Sequence, residues 1–276
     1  MNLSLSEQLA YSTVRIECEY GDNSTGTGTG FFFKFLEKKE NDLHVPVVIT
    51  NKHVIRNATK GSLIMTTTNK NNEPNDKDHF QGFFNDFENI WRLHPDNDVD
   101  LCAMPIAPFL NKAKGKNKEL FHIPLDKKLI PSAQQMKQLS ALEEILMIGY
   151  PNGIWDKINN KPIFRKGITA TNPNFDYNGK KEFLIDAACF PGSSGSPVFI
   201  FNEGGYRDKK GNMYIGASRV LLLGVLYAGP QFTVEGEIKI INMPVSQKPI
   251  AISTIPNNLG LVLKAERILE LEQLFK

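Results

Sequence analysis

The chain is short of several things at once. Cysteine is scarce: Cys18, Cys102 and Cys189 are an odd three, widely spaced, with no C-x-x-C pair. That spacing excludes a zinc ribbon, a thioredoxin-type motif and a disulfide framework, and predicts reduced, buried thiols. Long apolar runs are missing, since no stretch approaches the roughly 18 residues needed to span a bilayer. The N-terminus MNLSLSEQLAYSTV lacks the basic start and long apolar middle of a secretory signal. The sequence therefore predicts a cytoplasmic protein, or one already trimmed, with no membrane partner. Net charge is nearly absent too: 32 basic against 30 acidic side chains leave +2, so no global field draws the protein to nucleic acid. The densest basic run, NKAKGKNK at 111–118, alternates lysine with small and polar residues and reads as a solvated loop. Asp96, Asp98 and Asp100 imitate the start of a calcium loop, but Leu101 stands where glycine is needed and Ala107 at the twelfth position. Neither metal nor cofactor is expected.

What is present is a pattern of short strands. At 276 residues, with 21 Gly and 16 Pro, the chain has room for one large β domain or two small ones sharing a core. Runs rich in Val, Ile, Phe and Thr recur between turn clusters: VRIECEY, GFFFKFL, VPVVITN, SLIMTTT, LCAMPI, ILMIGY, FLIDAA, PVFIF, VLLLGVLY, IKIINM and LGLVL. Runs of about four to eight such residues read as strands. Helical spacing is clear only at 264–275, where Ile268, Leu269, Leu271 and Leu274 share one side, with a weaker helical patch at 132–142. Polar stretches at 69–78, 172–181 and 202–212 read as loops. An internal boundary near Lys118 divides the chain into 1–118 and 119–276, two β units of similar size.

The stretch FPGSSGSPVF at 190–199 crowds three serines between glycines and a proline. A serine becomes a nucleophile when a base takes its proton and converging backbone amides stabilise the resulting oxyanion. Gly192 and Gly195, flanking Ser193 and Ser194, suit such a turn, although Gly/Ser/Pro clusters also make plain turns. All five histidines (44, 53, 79, 94 and 122) precede Ser194, which excludes the α/β-hydrolase order of Ser, acid, His. The G-x-S-x-G elbow fails as well, because Ser196 occupies the place of its last glycine. His53, in VVITNKHVIRNA, follows a buried-strand run, and Asp100, in HPDNDVDLCAMPI, heads another.

At this point the chain resembles the chymotrypsin-like serine peptidases, and among them the HtrA/Deg-type bacterial trypsin-like peptidases. GTGF (28–31), TNKHVI (50–55), DLCAM (100–104), IGYPNG (148–153) and DAACFPGSSGSPVF (186–199) are similar to that family's signatures in that family's order. The resemblance implies an all-β fold of two six-stranded antiparallel β-barrels with the site between them and a C-terminal α-helix. The first barrel would carry His53 and Asp100 and the second Ser194. It implies a serine endopeptidase with Ser194 as nucleophile, His53 as general base and then acid, and Asp100 as the group that orients the imidazole. The N–H groups of Gly192 and Ser194 would form the oxyanion hole. Asp98 also precedes the strand-like run; Asp100 is preferred because Cys102 and Ala103 follow it as the family pattern requires.

Departures from the family refine the expectation. Secreted trypsin-like enzymes carry an acid just before the nucleophile to pair with a new N-terminus; Ser193 stands there, so no activating cleavage at Arg15-Ile16 is expected. The chain as given leaves no room for the PDZ module of HtrA-like proteins. Ala188 matches the floor of the specificity pocket, and Tyr227, Ala228 and Gly229 match the strand along which substrate adds. Without a carboxylate at the floor, a basic side chain would bury an unpaired charge, which leaves small or medium apolar P1 residues. The expected partner is a protein or peptide substrate. A latent or non-catalytic peptide-binding module, switched by a regulatory protein or by homo-oligomer formation in stress or phage defence, is the alternative in another class, and an esterase a third.

Overall fold

After a short helix, α1 (Leu5–Ala10), the β-branched and aromatic runs of the first half pair as antiparallel strands: β1 (Thr13–Tyr20), β2 (Thr25–Lys38), β3 (Leu43–Thr50), β4 (Ala58–Thr68), β5 (Pro74–Asn85), β6 (Arg92–Leu93) and β7 (Cys102–Pro105). This is a computed structural model, and it describes residues 3–38, 43–229, 231–234, 253–256 and 258–276. The expected strand IKIINM lies outside the described residues, as does most of 230–255. The first-half strands form a seven-stranded sheet in the order β5-β4-β1-β2-β3-β7-β6. Here the expectation of a closed six-stranded barrel is corrected: the sheet is open, with β5 and β6 at its two edges. Packing fills the region beside β5 where a barrel would use a ladder. Phe109 stacks on Phe80 and Phe84, and Phe87 meets Phe84 and Trp91. Phe109 belongs to α3 (Ala107–Lys114), which the basic composition of 111–118 had concealed. Pro108 suits its first turn, Phe109 and Ala113 bury one face, and Lys112 and Lys114 sit in the last turn, where the helix dipole favours cations.

The second half forms a closed six-stranded barrel, as expected. Its strands are β8 (Glu144–Gly149), β9 (Ile163–Thr169), β10 (Glu182–Asp186), β11 (Pro197–Asn202), β14 (Arg219–Ala228) and β17 (Leu259–Lys264). Between β11 and β14 a small hairpin, β12 (Gly205–Arg207) with β13 (Met213–Ile215), occupies the polar stretch read as a loop, and β15 (Gln231–Val234) pairs β16 (Ser253–Pro256). The helical patch before β8 is α4 (Ala133–Gln138), started by a capping box between Ser132 and Gln135. The C-terminal helix is shorter than its periodicity predicts. β17 runs to Lys264, then α5 (Glu266–Leu269) tightens into a 3₁₀ turn at Glu270–Phe275.

One buried cluster spans both sheets. Phe31, Phe33 and Phe35 on β2 and Ile49 on β3 pack with Phe199, Leu222 and Leu263 of the barrel, and Ile268 and Leu271 of the C-terminal segment close it. Phe32, one residue out of step, faces a second cluster in the open sheet, as the two-residue period of a strand requires. The shared cluster sets the two sheets against each other.

The polar part of that seam is Thr29, which is fully buried. Its N–H donates to the Ser194 carbonyl at 2.9 Å, and its carbonyl accepts from Thr50 Oγ1 at 2.7 Å. Its own Oγ1 donates to the Gly192 carbonyl at 2.9 Å and accepts from the Tyr150 N–H at 3.0 Å. In an antiparallel pair, alternate residues turn their N–H and C=O away from the neighbour; Thr29, opposite Arg15, is such a residue. Replacing it by the isosteric valine strips the Tyr150 N–H of its acceptor and the Gly192 carbonyl of a donor. Thr29→Val should cost about 1–3 kcal/mol in urea unfolding, with Thr29→Ser losing far less; equal losses for the two would contradict the hydrogen-bond account.

Acid should weaken the fold through two other buried groups. Burial pushes the pKa of His94 down, against the pull of Glu270 and with the help of Arg267 and Lys52; burial lowers that of His122 as well. In the unfolded chain both titrate near ~6.5, so the unfolded state binds more protons below that pH and stability falls as pH drops through this range. The urea midpoint should decrease between pH 7.5 and 5.5, and His94→Gln should flatten the slope; a flat wild-type profile would contradict this assignment.

Candidate active site

His53 sits in α2 (Lys52–Ile55), a single turn that follows β3 directly. Asp100 ends the loop before β7. The two meet: Asp100 Oδ2 lies 2.5 Å from His53 Nδ1, and Oδ1 accepts the His53 backbone N–H at 3.0 Å. Asn51 Nδ2 holds the Asp100 carbonyl at 2.7 Å, so the carboxylate is fixed from its backbone outward. Burial pushes the Asp100 pKa up, but the hydrogen bonds and charge of His53 outweigh it and hold the carboxyl below the usual range. Asp98 is exposed and makes no such contact; its N–H donates to Asp96 Oδ1. The His53 side chain remains 42% exposed, open to a substrate on the side away from Asp100.

The serine cluster is two consecutive tight turns. Ser193 N–H returns to the Phe190 carbonyl and Ser196 N–H to the Ser193 carbonyl, both at 3.0 Å. The third residues of these turns, Gly192 and Gly195, have φ of 86° and 85°, the left-handed value a type II turn demands and glycine alone adopts freely. Ser194 thus occupies the corner of the second turn, half-buried between its two buried neighbours Ser193 and Gly195. Ser193 and Ser196 are buried, and Ser193 Oγ accepts the Phe190 N–H at 3.4 Å; both pack rather than project.

Peptide planarity fixes where the neighbouring amides point. The Pro191 carbonyl accepts from Asn152 N–H at 2.5 Å, and in a trans peptide the N–H points opposite to the C=O, so the Gly192 N–H faces away from Asn152. The Ser193 carbonyl is likewise engaged by Ser196, which turns the Ser194 N–H outward. Neither N–H has an acceptor among the described residues. A pair of unengaged amides beside a half-buried hydroxyl is an arrangement that can receive an oxyanion.

The turn is held from both sides. Thr29 takes the Ser194 carbonyl, while Gly195 N–H donates to the Leu226 carbonyl at 2.8 Å and Leu226 N–H to the Ser196 carbonyl at 3.0 Å. The ladder between β11 and β14 ends at Pro197 and Val225. Beyond it, Tyr227 and Ala228 are half-buried and Gly229 is exposed. Tyr227 hydroxyl donates to Glu182 Oε2 at 2.5 Å. Ala188 is half-buried, and its carbonyl accepts from Arg165 Nη1 at 2.7 Å. Among the described residues no hydrogen bond joins Ser194 Oγ to His53, and no group of three or more His, Cys, Asp and Glu could hold a metal ion. No helix among them is long and apolar enough to cross a membrane. Residue-by-residue reading of the sequence missed Thr29, Asn51, Asn152 and Arg165; the small-residue run GTGTG at 26–30 was the one signal for the first of them.

No curated protein matches the chain. Among solved structures, the serine endoprotease from Yersinia pestis is 13% identical, with a TM-score of 0.47 over 99% of this chain and 66% of that one. The HtrA-type protease AlgW with a tripeptide is 15% identical, TM-score 0.45, over 96% of this chain and 60% of that one. The active form of the Rv3671c protease from M. tuberculosis is 17% identical, TM-score 0.41, over 94% and 78%. The model of the trypsin-like peptidase domain matches residues 28–205, well over half of the sequence and the stretch that contains His53, Asp100 and Ser194, and the chain therefore belongs to the trypsin-like peptidase family.

Proposed function

We propose that the protein is a serine endopeptidase that cuts protein or peptide substrates through an acyl-enzyme intermediate. The observation that carries this reading is the double turn, with Ser194 at its corner and the N–H groups of Gly192 and Ser194 unengaged beside it. In the proposed reaction Ser194 Oγ attacks the scissile carbonyl as His53 Nε2 takes its proton. The two amides stabilise the oxyanion, each contributing on the order of 3 kcal/mol in sites of this kind. His53 then delivers the proton to the leaving amine, and water repeats the cycle to release the acyl group. Asp100 holds the imidazole with Nδ1–H toward itself and stabilises the cation that forms. Residues 1–118 supply the base and its partner and 119–276 the nucleophile, so the reaction takes place between the two units.

Substrate backbone would add as a strand along Tyr227, Ala228 and Gly229, whose free edge begins where β11 stops. Ala188 at the pocket floor carries no charge, which disfavours Lys and Arg at P1 and, from the sequence alone, leaves small or medium apolar residues. One observation favours a second reading: Ser194 and His53 make no direct hydrogen bond among the described residues. In that reading the site binds peptide but is latent until a partner or a second copy aligns it.

A fluorophosphonate probe separates the two readings. The expected result is an adduct that mass spectrometry places on Ser194 and that Ser194→Ala abolishes, with Ser193→Ala still labelled. No adduct on folded protein favours the latent module. In a peptide-hydrolysis assay, Ser194→Ala should lose roughly 10⁶ in kcat. Asp100→Asn, which keeps the shape but reverses the hydrogen bond to Nδ1, should lose about 10⁴; a loss under tenfold would remove Asp100 from the mechanism.

A further inference from the structure

We propose that Arg165 makes the specificity pocket a receptor for an acidic side chain, so that the enzyme cuts after Glu or Asp. The proposal rests on the serine endopeptidase reading and names its substrate class. It changes the apolar expectation drawn from Ala188, because the floor of a pocket is made by what lies behind it as well as by its own side chain.

Arg165 is placed there by the alternation of β9. Phe164, Lys166 and Ile168 are exposed, and Arg165 shares the opposite face with Gly167 and Thr169. That face carries the segment leading to the pocket: a Cβ on Gly167 would lie 2.3 Å from the Asp186 carbonyl oxygen and 2.8 Å from Ala187 Cβ. Two residues away, Arg165 Nη1 donates to the Ala188 carbonyl at 2.7 Å, and its Cζ lies 4.8 Å from the centre of the Phe190 ring. The guanidinium is therefore anchored to the pocket floor itself. On the other side of the segment, Cys189 packs toward Gly229 and Gly260, its Sγ 2.7 Å from where a Gly260 Cβ would be. The charge reaches that side as well: burial pushes the Cys189 thiol up to about 11, and Arg165 opposes the shift.

Among the described residues no carboxylate pairs with this cation. Arg165 Nε is buried without a hydrogen-bond partner. Asp186 precedes Ala188 by two residues, but it is exposed and forms no ion pair with Arg165 among the described residues. Glu144 on β8 is taken by Lys166 on the outer face. A half-buried guanidinium with one carbonyl acceptor has N–H groups to spare, and its planar fork matches a carboxylate. Bringing an apolar side chain beside it would desolvate the charge without compensation; a carboxylate supplies the missing counter-charge. Glu and Gln share a shape and differ in charge and in one acceptor exchanged for a donor, so the pair isolates recognition of a carboxylate.

The test measures binding, so it does not depend on turnover. Peptide libraries randomised around a fixed Glu, Gln, Leu or Lys are titrated against the Ser194→Ala protein by fluorescence anisotropy. The proposal expects the Glu library to bind at least tenfold tighter than Gln or Leu, Arg165→Gln to erase that ratio while leaving Leu binding in place, and Arg165→Lys to keep part of it. Equal binding of Glu and Gln, a preference for Leu, or no binding of any library overturns it. So does a parallel loss of all peptides in Arg165→Gln, which would make the residue a brace for Ala188 alone. The failure of the endopeptidase reading is seen separately, as absence of the fluorophosphonate adduct on wild-type protein.

Discussion

The hydrogen bonds of Thr29 are the constraint on which the site depends. Ser194 and His53 belong to different sheets, and a serine and a histidine cooperate only when the distance between them is held to a few tenths of an ångström. A polar path between them runs from the Ser194 carbonyl to Thr29 N–H, and from the Thr29 carbonyl to Thr50 Oγ1, three residues before His53. Every group on that path is buried or half-buried, so water competes poorly for its bonds. The same residue's hydroxyl reaches Gly192, the first amide of the proposed oxyanion hole. One side chain and one peptide thus tie together the segments that carry His53, Ser194 and Gly192.

Apolar packing does for the Asp100 loop what Thr29 does for the Ser194 turn. Ile268 and Leu271 anchor the C-terminal segment in the cluster shared by both sheets, and its polar residues then reach back across the seam. Arg267 Nη2 holds Asp96 at 2.6 Å, and Glu270 lies 3.4 Å from buried His94. Lys52, beside His53, donates to the Asp96 carbonyl at 3.0 Å. The loop that ends in Asp100 is therefore clamped from the C-terminal segment and from the helical turn that carries His53. An exposed ion pair alone would contribute little here; its value lies in fixing a loop whose burial the core has already secured.

Sequence made visible what depends on local pattern. The apolar runs mark the buried strands because a strand covered on both faces needs nearly every residue apolar, as in GFFFKFL. It concealed strands that are wet on one side: β5, with DHFQGFF, and β9, with IFRKGIT, interleave charged and apolar residues, so neither was among the expected strands, and the start of β5 falls in the stretch 69–78 that read as a loop. The open first sheet was illegible for a related reason, since closure by ladder or by the rings of Phe80, Phe84 and Phe109 leaves the same composition. His53, Asp100 and Ser194 stood out because each lies at a strand end inside a recognisable motif. Thr29 and Arg165 did not, because their significance is a contact with residues 165 and 23 positions away, from Ser194 and Ala188 respectively.

The missing acid before the nucleophile has a structural counterpart. Where a cleaved trypsin-like enzyme buries an ion pair to order its oxyanion turn, this chain uses neutral bonds: Phe190 N–H to Ser193 Oγ, Asn152 N–H to the Pro191 carbonyl, and Thr29 Oγ1–H to the Gly192 carbonyl. Neutral pairs avoid the desolvation of two charges, and they need no new N-terminus. The Arg15-Ile16 peptide lies inside β1, with Ile16 opposite Gly28 on one side and Leu63 on the other. A protease could reach it only by unzipping a strand that pairs on both edges and fills the core, which would dismantle Thr29's own ladder. The turn that holds Ser194 is thus ordered by neutral hydrogen bonds within the uncut chain, with no cleavage at Arg15 needed to supply them.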